Sequence, residues 1–511
     1  MRQVAPFALF ISISLLGGIS PVGAQQPVSL SLDDAIQTAK RSNPGFLSTA
    51  NNVNDAAWQV REAYGQFLPS LTVNGFAQYE DEGVQRFGVS TLNDGSAGST
   101  DYLLSQYSIR LGYQLDGNTL FRVKSARANS RFTEATVTAA EFTLESAVTI
   151  QYLAALRARE AVEVAGRQVA RWEGNFELVG ARVDAGAAVS TDGKQAEVDL
   201  GRARVTLLQS ENLYRTEVSR LMEQMGDDIG EDVELASNFR VFDPDWDRDE
   251  LLEMASVGHP SLRAFIAAES ATGAQVNQAR SSYFPTIFAS ATWSGFSRQI
   301  RNESFLLGQV RSGIESDRLN CEQFNALDAG IPGGLPGVQQ QDCSAFSLTP
   351  EVEQQILASN QSFPFDFTGE PLRVQLQISF PIFQGFTKQR QTAQAQAQNR
   401  DARHNRRAEE LRLKTAVTQS YDDLVTARAS LSIQERNLEV ASEQLELARD
   451  RYGFGAAPFL ELLDAEDSMA QAERDHLAAV YDFHQAMWSL EAAVGVRLRP
   501  EETSTGGGAP S

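Results

Sequence analysis

The segment Val374–Ile382 reads VQLQISFPI, and apolar residues alternate in it with uncharged polar ones as far as the proline. Three further segments show the same alternation, with aromatic residues near an end. Successive side chains of a β-strand point to opposite faces, so this period of two predicts strands with one apolar and one polar face. The four predicted strands span about residues 70–80, 105–116, 285–295 and 373–383. A length of about ten residues is typical of transmembrane β-strands.

The polar face of these strands consists mainly of Gln, Ser, Thr and Asn, which suits a water-filled channel. The alternative is a half-buried sheet in a water-soluble domain, but the surrounding helical sequence offers no core to cover it. Four strands are too few to enclose a useful bore. An open sheet edge is not tolerated in hydrocarbon, because its backbone groups stay unpaired. The sequence therefore predicts that several copies of the chain build one β-barrel together.

An internal repeat organises the chain. Two blocks recur at constant offsets: Asn43-Pro44 as His259-Pro260, 216 positions later, and nine residues of 182–226 at 451–495, 269 positions later. The larger offset of the later block indicates an insertion in the second copy. We interpret these matches as a structural duplication. The two predicted repeats span residues 25–246 and 247–499.

Long helices are predicted between the strands. Proline breaks helix interiors, and it is absent from residues 70–243 and 382–457, which are rich in good helix formers. We expect near-continuous helices from about 120 to 183 and from about 386 to 452. Each would be roughly 90–100 Å long at 1.5 Å per residue, so the helices must lie along one another in a coiled-coil-like bundle. The predicted hairpin tips lie at about 184–190 and 453–458.

The ends of the chain and its charge add further expectations. Residues 1–24 are typical of a signal peptide, with Arg2, an apolar run and Val22-Gly23-Ala24 before the cleavage point. After these residues the sequence contains no run of about 18 apolar residues, so we expect no transmembrane helix. The net charge of −22 argues against nucleic acid as a partner. The tail 500–511 is expected to be disordered.

The two strands of the second repeat are joined by a long segment, about residues 296–371. We expect an extracellular loop here, because the long loops of outer-membrane barrels lie on that side. The loop contains both cysteines of the chain, Cys321 and Cys343. In an oxidising compartment they can form a disulfide; the alternative is two free thiols.

The ordered set of these features resembles the TolC family of outer-membrane efflux proteins over essentially the whole mature chain. The run Leu30–Ile36, in which Ser31 and Asp34 have a helix-capping spacing, is similar to the family's opening helix, and Phe380–Gly385 is similar to its strand-to-helix junction. The resemblance implies an α+β membrane protein: a homotrimer in the cell outer membrane, with a twelve-stranded β-barrel and long helical hairpins that form a periplasmic tunnel. It also implies an exit duct for efflux or type I secretion, which docks to an inner-membrane transporter through a periplasmic adaptor (membrane fusion) protein.

The same resemblance implies site residues at the periplasmic tips. Glu461 and Asp464 match the family's acidic gate, and their spacing of three places both carboxylates on one helix face; two solvated surface acids are the alternative. Asp192 and Tyr452 match a latch between hairpins, although Ala457 stands where well-known members have Arg. The small residues expected to dock the adaptor are Gly186, Ala187, Ala188, Gly455, Ala456 and Ala457. Backbone geometry alone explains a glycine at a turn equally well.

No pattern in the sequence points to an enzyme, a metal site or a cofactor. The four histidines form no ligand cluster, and neither a phosphate-binding glycine loop nor a nucleophile elbow occurs. His259 occupies the position matched by Asn43, so we expect it to cap a helix. The alternative function is a periplasmic coiled-coil adaptor or scaffold protein without a pore, which would not need four membrane-length strands.

Overall fold

The computed structural model describes residues 28–81, 86–87, 90–91, 101–227, 233–236, 239–332 and 339–498. The predicted signal peptide, 1–24, and the predicted disordered tail, 500–511, lie outside this part of the chain. Over the described residues, none of the helices combines the length and the apolarity that crossing a membrane requires. Most of these residues are helical and fewer are in strands, so the fold is α+β.

The described residues form ten α-helices: α1 Leu32–Ser42, α2 Pro44–Gly65, α3 Gly117–Asp184, α4 Ser190–Met225, α5 Arg248–Gly258, α6 Pro260–Arg280, α7 Glu303–Ala329, α8 Pro350–Asn360, α9 Thr387–Gly453 and α10 Phe459–Val494. The same residues form nine β-strands: β1 Val28–Leu30, β2 Ser70–Glu80, β3 Arg86–Phe87, β4 Ser90–Thr91, β5 Tyr102–Leu115, β6 Val233–Leu235, β7 Thr286–Ile300, β8 Thr368–Gly369 and β9 Arg373–Ser379. The near-continuous helices predicted from sequence are confirmed by α3 and α9.

These elements divide into two compact units. The first takes its described residues from Met1–Asp55, Arg131–Glu269 and Asp401–Ser511. The second takes them from Ala56–Ser130 and Ser270–Arg400. The first unit contains both hairpin turns between long helices, and the second contains the four long strands.

The second unit is built on an antiparallel sheet with its long strands in the order β2-β5-β7-β9. The register brings the apolar faces of all four strands to one side. Leu71 pairs with Leu111, Leu111 pairs with Ala291, and Ala291 pairs with Val374. Neighbouring rows on the same side are Val73-Ile109-Trp293 and Tyr113-Ala289-Leu376. The predicted alternation therefore produces one apolar face across the whole width of the sheet.

Three strand boundaries differ from the prediction. β5 begins at Tyr102 instead of 105, and β7 continues to Ile300 instead of ending at 295, because these two residues pair with each other. β9 ends at Ser379 instead of 383. Pro381 follows closely, and proline has no N–H to donate to a strand ladder. Gly385, with φ of 58°, then turns the chain towards α9.

The prediction of one long loop over residues 296–371 was wrong in part, because this segment contains α7 and α8. Its glycines and prolines favoured the loop, but Asn302 caps α7 by accepting the N–H of Phe305 at 3.0 Å. Cys321, in α7, forms a disulfide with Cys343, with an S–S distance of 1.99 Å. The disulfide ties α7 to the chain that leads into α8.

In the first unit, two glycines allow the ends of α4 and α10 to approach neighbouring main chain closely. Gly226 follows α4 with φ of 71°, and Gly495 follows α10 with φ of 84°. A Cβ on Gly226 would lie 2.7 Å from the Cα of Asn43, and a Cβ on Gly495 would lie 2.9 Å from the Cα of His259. Only glycine fits such positive φ angles and such close approaches.

Asn43 and His259 both cap the helix that follows them. The Asn43 Oδ1 accepts the N–H of Phe46 at 2.9 Å. The His259 Nδ1 accepts the N–H of Ser261 at 3.2 Å, and its Nε2 donates to the carbonyl of Ala492 at 3.1 Å. The capping role predicted for His259 is confirmed.

Candidate functional site

Each hairpin tip is a tight turn between two long helices. α3 ends at Asp184 and α4 begins at Ser190, close to the predicted 184–190. Gly186 at this turn has φ of 70°, and Gly455 at the turn between α9 and α10 has φ of 74°. The next residue in each turn, Ala187 or Ala456, donates its N–H back to the last helical turn, to the Arg182 or Arg451 carbonyl, at 2.8 and 2.7 Å. Turn geometry therefore explains Gly186 and Gly455, and adaptor docking by the six small tip residues stays a prediction.

Arg182 joins the two tips of one chain. Its guanidinium donates to the carbonyl of Tyr452 and, at 3.1 Å, to the carbonyl of Gly453. The same group lies 4.5 Å from the centre of the Tyr452 ring. Carbonyls at the C-terminal end of a helix lack partners within the helix and carry partial negative charge. The Arg182 guanidinium lies against the end of α9, where it supplies these carbonyls with hydrogen-bond donors and with a positive charge.

The two predicted latch residues, Asp192 and Tyr452, have different surroundings. Tyr452 is 2% exposed, packs its ring against Phe459, and has no hydrogen-bond partner for its hydroxyl among the described residues. Burial raises the pKa of Tyr452; Arg182 opposes the rise and Asp192 adds to it. Asp192 lies in the first turn of α4. The two residues interact electrostatically, and a latch between them remains a prediction.

The predicted gate residues lie at the start of α10. Glu461 accepts a hydrogen bond from Arg451 at 2.5 Å, and Asp464 is exposed one turn further along. Desolvation, together with the carboxylates of Asp199 and Asp464, raises the pKa of Asp467. Asp467 and Asp199 therefore lie near the tip in addition to the two predicted acids, Glu461 and Asp464. Asp467 could have been found from sequence, because it continues the spacing of three.

An open cavity of about 950 Å³ lies between the two tips of one chain. Its lining includes the latch pair Asp192 and Tyr452, together with Arg182. The docking residues Ala187, Ala188, Gly455, Ala456 and Ala457 also line it. The predicted latch pair and five of the six predicted docking residues therefore share one concave surface, whose lining does not include Gly186.

Above the tips, buried acids connect α3 to α10. Arg171 donates to both carboxylate oxygens of Glu473, at 3.0 and 2.6 Å. Asn175 donates to Glu466 at 2.7 Å, and Arg449 donates to the same carboxylate at 2.9 Å. Glu466 is 1% exposed and Glu473 is 7% exposed. Because removing one partner of a buried ion pair costs about 3–5 kcal/mol, this network resists separation of the two hairpins.

Comparison with known proteins identifies the family. A family model described as Outer membrane efflux protein matches residues 35–227 and 347–496, more than half of the chain. The chain belongs to the outer membrane efflux protein family. This is a family of channel proteins and not of enzymes, and it does not favour an adaptor or scaffold without a pore. Within the described residues, no group of three or more His, Cys, Asp or Glu side chains could hold a metal ion.

Three individual proteins that are similar to this chain are consistent with the family assignment. Protein CyaE of Bordetella pertussis (strain Tohama I) is 25% identical over 350 residues, which cover 67% of this chain and 60% of the relative. The outer membrane protein VceC of Vibrio cholerae has a TM-score of 0.64 at 16% identity, covering 92% of this chain and 97% of that one. The open-state MtrE outer membrane channel of Neisseria gonorrhoeae has a TM-score of 0.65 at 17% identity, covering 94% of each chain. The two structures show that the fold is shared.

Proposed function

We propose that this efflux protein is one subunit of an outer-membrane exit duct for efflux or type I secretion. The observation that carries the proposal is the sheet of the second unit. Its register places apolar residues of four strands on one side, and residues such as Leu71 and Leu376 on that side are 65% and 69% exposed. A broad exposed apolar sheet face needs a cover, and lipid is the cover that the family description supports.

The two edges of the sheet support an oligomer. β2 pairs only with β5, and β9 pairs only with β7, among the described residues. Every residue of both edge strands is exposed. Unpaired backbone groups cannot face hydrocarbon, so β2 of one copy pairs with β9 of the next. Three copies would give the homotrimer with a twelve-stranded barrel that the resemblance implies.

The long hairpins would then continue the duct into the periplasm. Their tips would dock a periplasmic adaptor, which links the duct to an inner-membrane transporter. The duplication into repeats at 25–246 and 247–499 fits this arrangement, because it gives each copy two hairpins. Gly226 and Gly495 support the duplication: both have positive φ and pack against matched residues, Asn43 and His259.

Glu461 and Asp464 are proposed as the acidic gate of the duct. Around a threefold axis they would form a ring of carboxylates, which attracts cations and repels anions. Asp467, whose carboxylate interacts with those of Asp464 and Asp199, would add to the negative potential. The Glu461–Arg451 contact would partly neutralise one member of the ring.

Reconstitution in planar bilayers tests both the duct and the gate. The purified oligomer should conduct ions, prefer cations and be blocked by multivalent cations. Glu461→Gln with Asp464→Asn should lower the cation preference several-fold and weaken the block. The matched control is Glu446→Gln with Asp450→Asn, two acids of α9 outside the proposed gate. A folded oligomer without conductance would refute the duct, and unchanged selectivity in the double variant would refute the gate alone.

A further inference from the structure

The charged residues of the four long strands all lie on the polar face of the sheet, and most of them are basic. This face carries Arg110 in β5, Arg298 in β7 and Arg373 in β9, and Glu80 at the end of β2 is the only acid within these four fully described strands. The apolar face of the same strands carries no charged residue. This basic balance is the opposite of that of the whole chain, whose net charge is −22.

Arg110 and Arg373 lie in one row across the sheet, which we call the arginine row. Arg110 pairs with Thr292, and Thr292 pairs with Arg373. Thr72, which pairs with Arg110 on the other side, completes the row. The two arginines are therefore two strands apart, about 10 Å at the usual strand spacing. Both are exposed, and both side chains lie on the same face of the sheet.

Neither guanidinium of the arginine row has an ion-pair, hydrogen-bond or aromatic partner among the described residues. By contrast, the guanidinium of Arg298 lies 4.2 Å from the centre of the Tyr102 ring. The acid next to the row, Glu370, accepts the hydroxyl of Ser294 at 2.5 Å and forms no ion pair with either arginine. Two unpaired like charges repel each other, and an anion between them relieves the repulsion.

The side chains that flank the arginine row are short or uncharged. Ser108 and Gly112 precede and follow Arg110 on this face, and Gln375 follows Arg373. Such neighbours neither neutralise the guanidinium groups nor cover them. The row is therefore open to a negatively charged group that comes from solution.

We propose that the arginine row binds the oxyanion groups, carboxylates or phosphates, of cargo that passes through the duct. The planar N–H donors of a guanidinium match the geometry of these groups, and rings of arginine or lysine line pores that conduct anions and phosphates. The proposal rests on the proposed function, in which the polar face of the sheet lines the bore. In a ring of three copies, the row contributes six guanidinium groups.

Block by a charged polymer in planar bilayers tests the arginine row. Short poly-glutamate, added on the side of the sheet, should block the conductance of the wild-type oligomer. Arg110→Gln with Arg373→Gln should raise the concentration for half block roughly tenfold, the effect of losing six weak surface pairs. Arg110→Lys with Arg373→Lys keeps the charge but not the planar donors, and its half-block concentration should lie between the two. Poly-lysine should block the glutamine variant at least as well as the wild type.

The matched control removes two arginines that already have acidic partners. Arg311→Gln with Arg318→Gln lowers the charge by the same amount on α7, where Arg311 binds Glu353 at 3.1 Å and Arg318 binds Glu315 at 2.6 Å. Poly-glutamate should block this control like the wild type. An equal loss of block in the control, or no loss in the glutamine variant of the arginine row, would overturn the proposal. A wild-type oligomer that does not conduct would refute the proposed duct instead.

Two adjacent cysteine variants test which face of the sheet lines the bore. A negatively charged, membrane-impermeant thiol reagent should reduce the conductance of Arg373→Cys, because this position lies on the polar face. The same reagent should leave Val374→Cys unchanged, because Val374 lies on the apolar face. The native disulfide between Cys321 and Cys343 leaves neither of these thiols free to react. No response of Arg373→Cys, or an equal response of both variants, would overturn the proposal.

Discussion

Arg182 illustrates why the tip could not be predicted fully from the sequence. The family resemblance directed attention to Asp192 and Tyr452, and Ala457 left the latch without its expected arginine. The structure supplies an arginine from the other hairpin, which binds main-chain carbonyls at the end of α9. Carbonyl acceptors leave no trace in a sequence, and the contact spans 270 residues. Glu461 and Asp464, by contrast, could be named from the sequence because the family resemblance gives their position after the turn at Gly455, and their role as a gate stays a prediction.

His259 makes the stability of the first unit depend on pH. Its Nδ1 accepts the N–H of Ser261, so a proton on that nitrogen would oppose the cap. Burial lowers the pKa of His259 below its ordinary value of 6.5; the backbone hydrogen bond to Ala492 and the charge of Glu409 oppose this shift, and Arg412 adds to it. The unfolded chain therefore binds the proton more readily. We expect the stability that the neutral His259 contributes to be fully present above pH 6.5 and to fall as the pH drops towards the lowered pKa.

The variant His259→Asn should remove this dependence, because Asn43 caps the matched helix start with an amide. We expect the melting temperature of the wild type to fall by roughly 2 °C more than that of the variant between pH 7.5 and pH 5. The two proteins should melt alike at pH 7.5, which controls for damage to the fold. Thermal unfolding followed by circular dichroism measures the difference, and parallel pH profiles would contradict the assignment.

At the scale of elements, most of the correct predictions of helices and strands came from local sequence patterns. The lack of proline placed α3 and α9 within a few residues of their observed ends, and the period of two identified all four long strands. α7 was missed because the nearby glycines and prolines favoured a loop. Its beginning at Asn302 was readable as a helix cap, but the disulfide that links it to Cys343 is a contact between distant residues, which no local pattern fixes.

Removing the disulfide should loosen α7 without affecting the rest of the molecule. Cys321→Ser with Cys343→Ser releases a loop closed over 22 residues, a constraint of about 3 kcal/mol on the unfolded segment. We expect trypsin to cleave α7, for example after Arg311 or Arg318, several times faster in the variant. Wild-type protein treated with a reductant should match the variant. The amount of oligomer should not change, and an unchanged cleavage rate would show that helix packing alone holds α7.

At the scale of the whole molecule, the proposed duplication would give a reason for one chain to be incomplete. Within one chain, α3 covers a face of α10, whereas the corresponding face of α4, 269 positions earlier, is exposed. The sheet has the same property, since β2 and β9 are both exposed edges. The closed ring of copies proposed above would cover both the exposed helix face and the exposed strand edges.

The two faces of the sheet allow this view to be tested with one pair of adjacent residues. Leu376 lies on the apolar face in the row of Ala289, and Gln377 lies on the polar face opposite Phe288. A lysine facing lipid costs about 2–4 kcal/mol at the bilayer midplane, whereas a lysine facing a water-filled lumen stays hydrated. Leu376→Lys should therefore reduce the oligomer recovered from outer membranes several-fold, and Gln377→Lys should be recovered like the wild type. Equal recovery of the two variants would show that the apolar face of the sheet does not meet lipid.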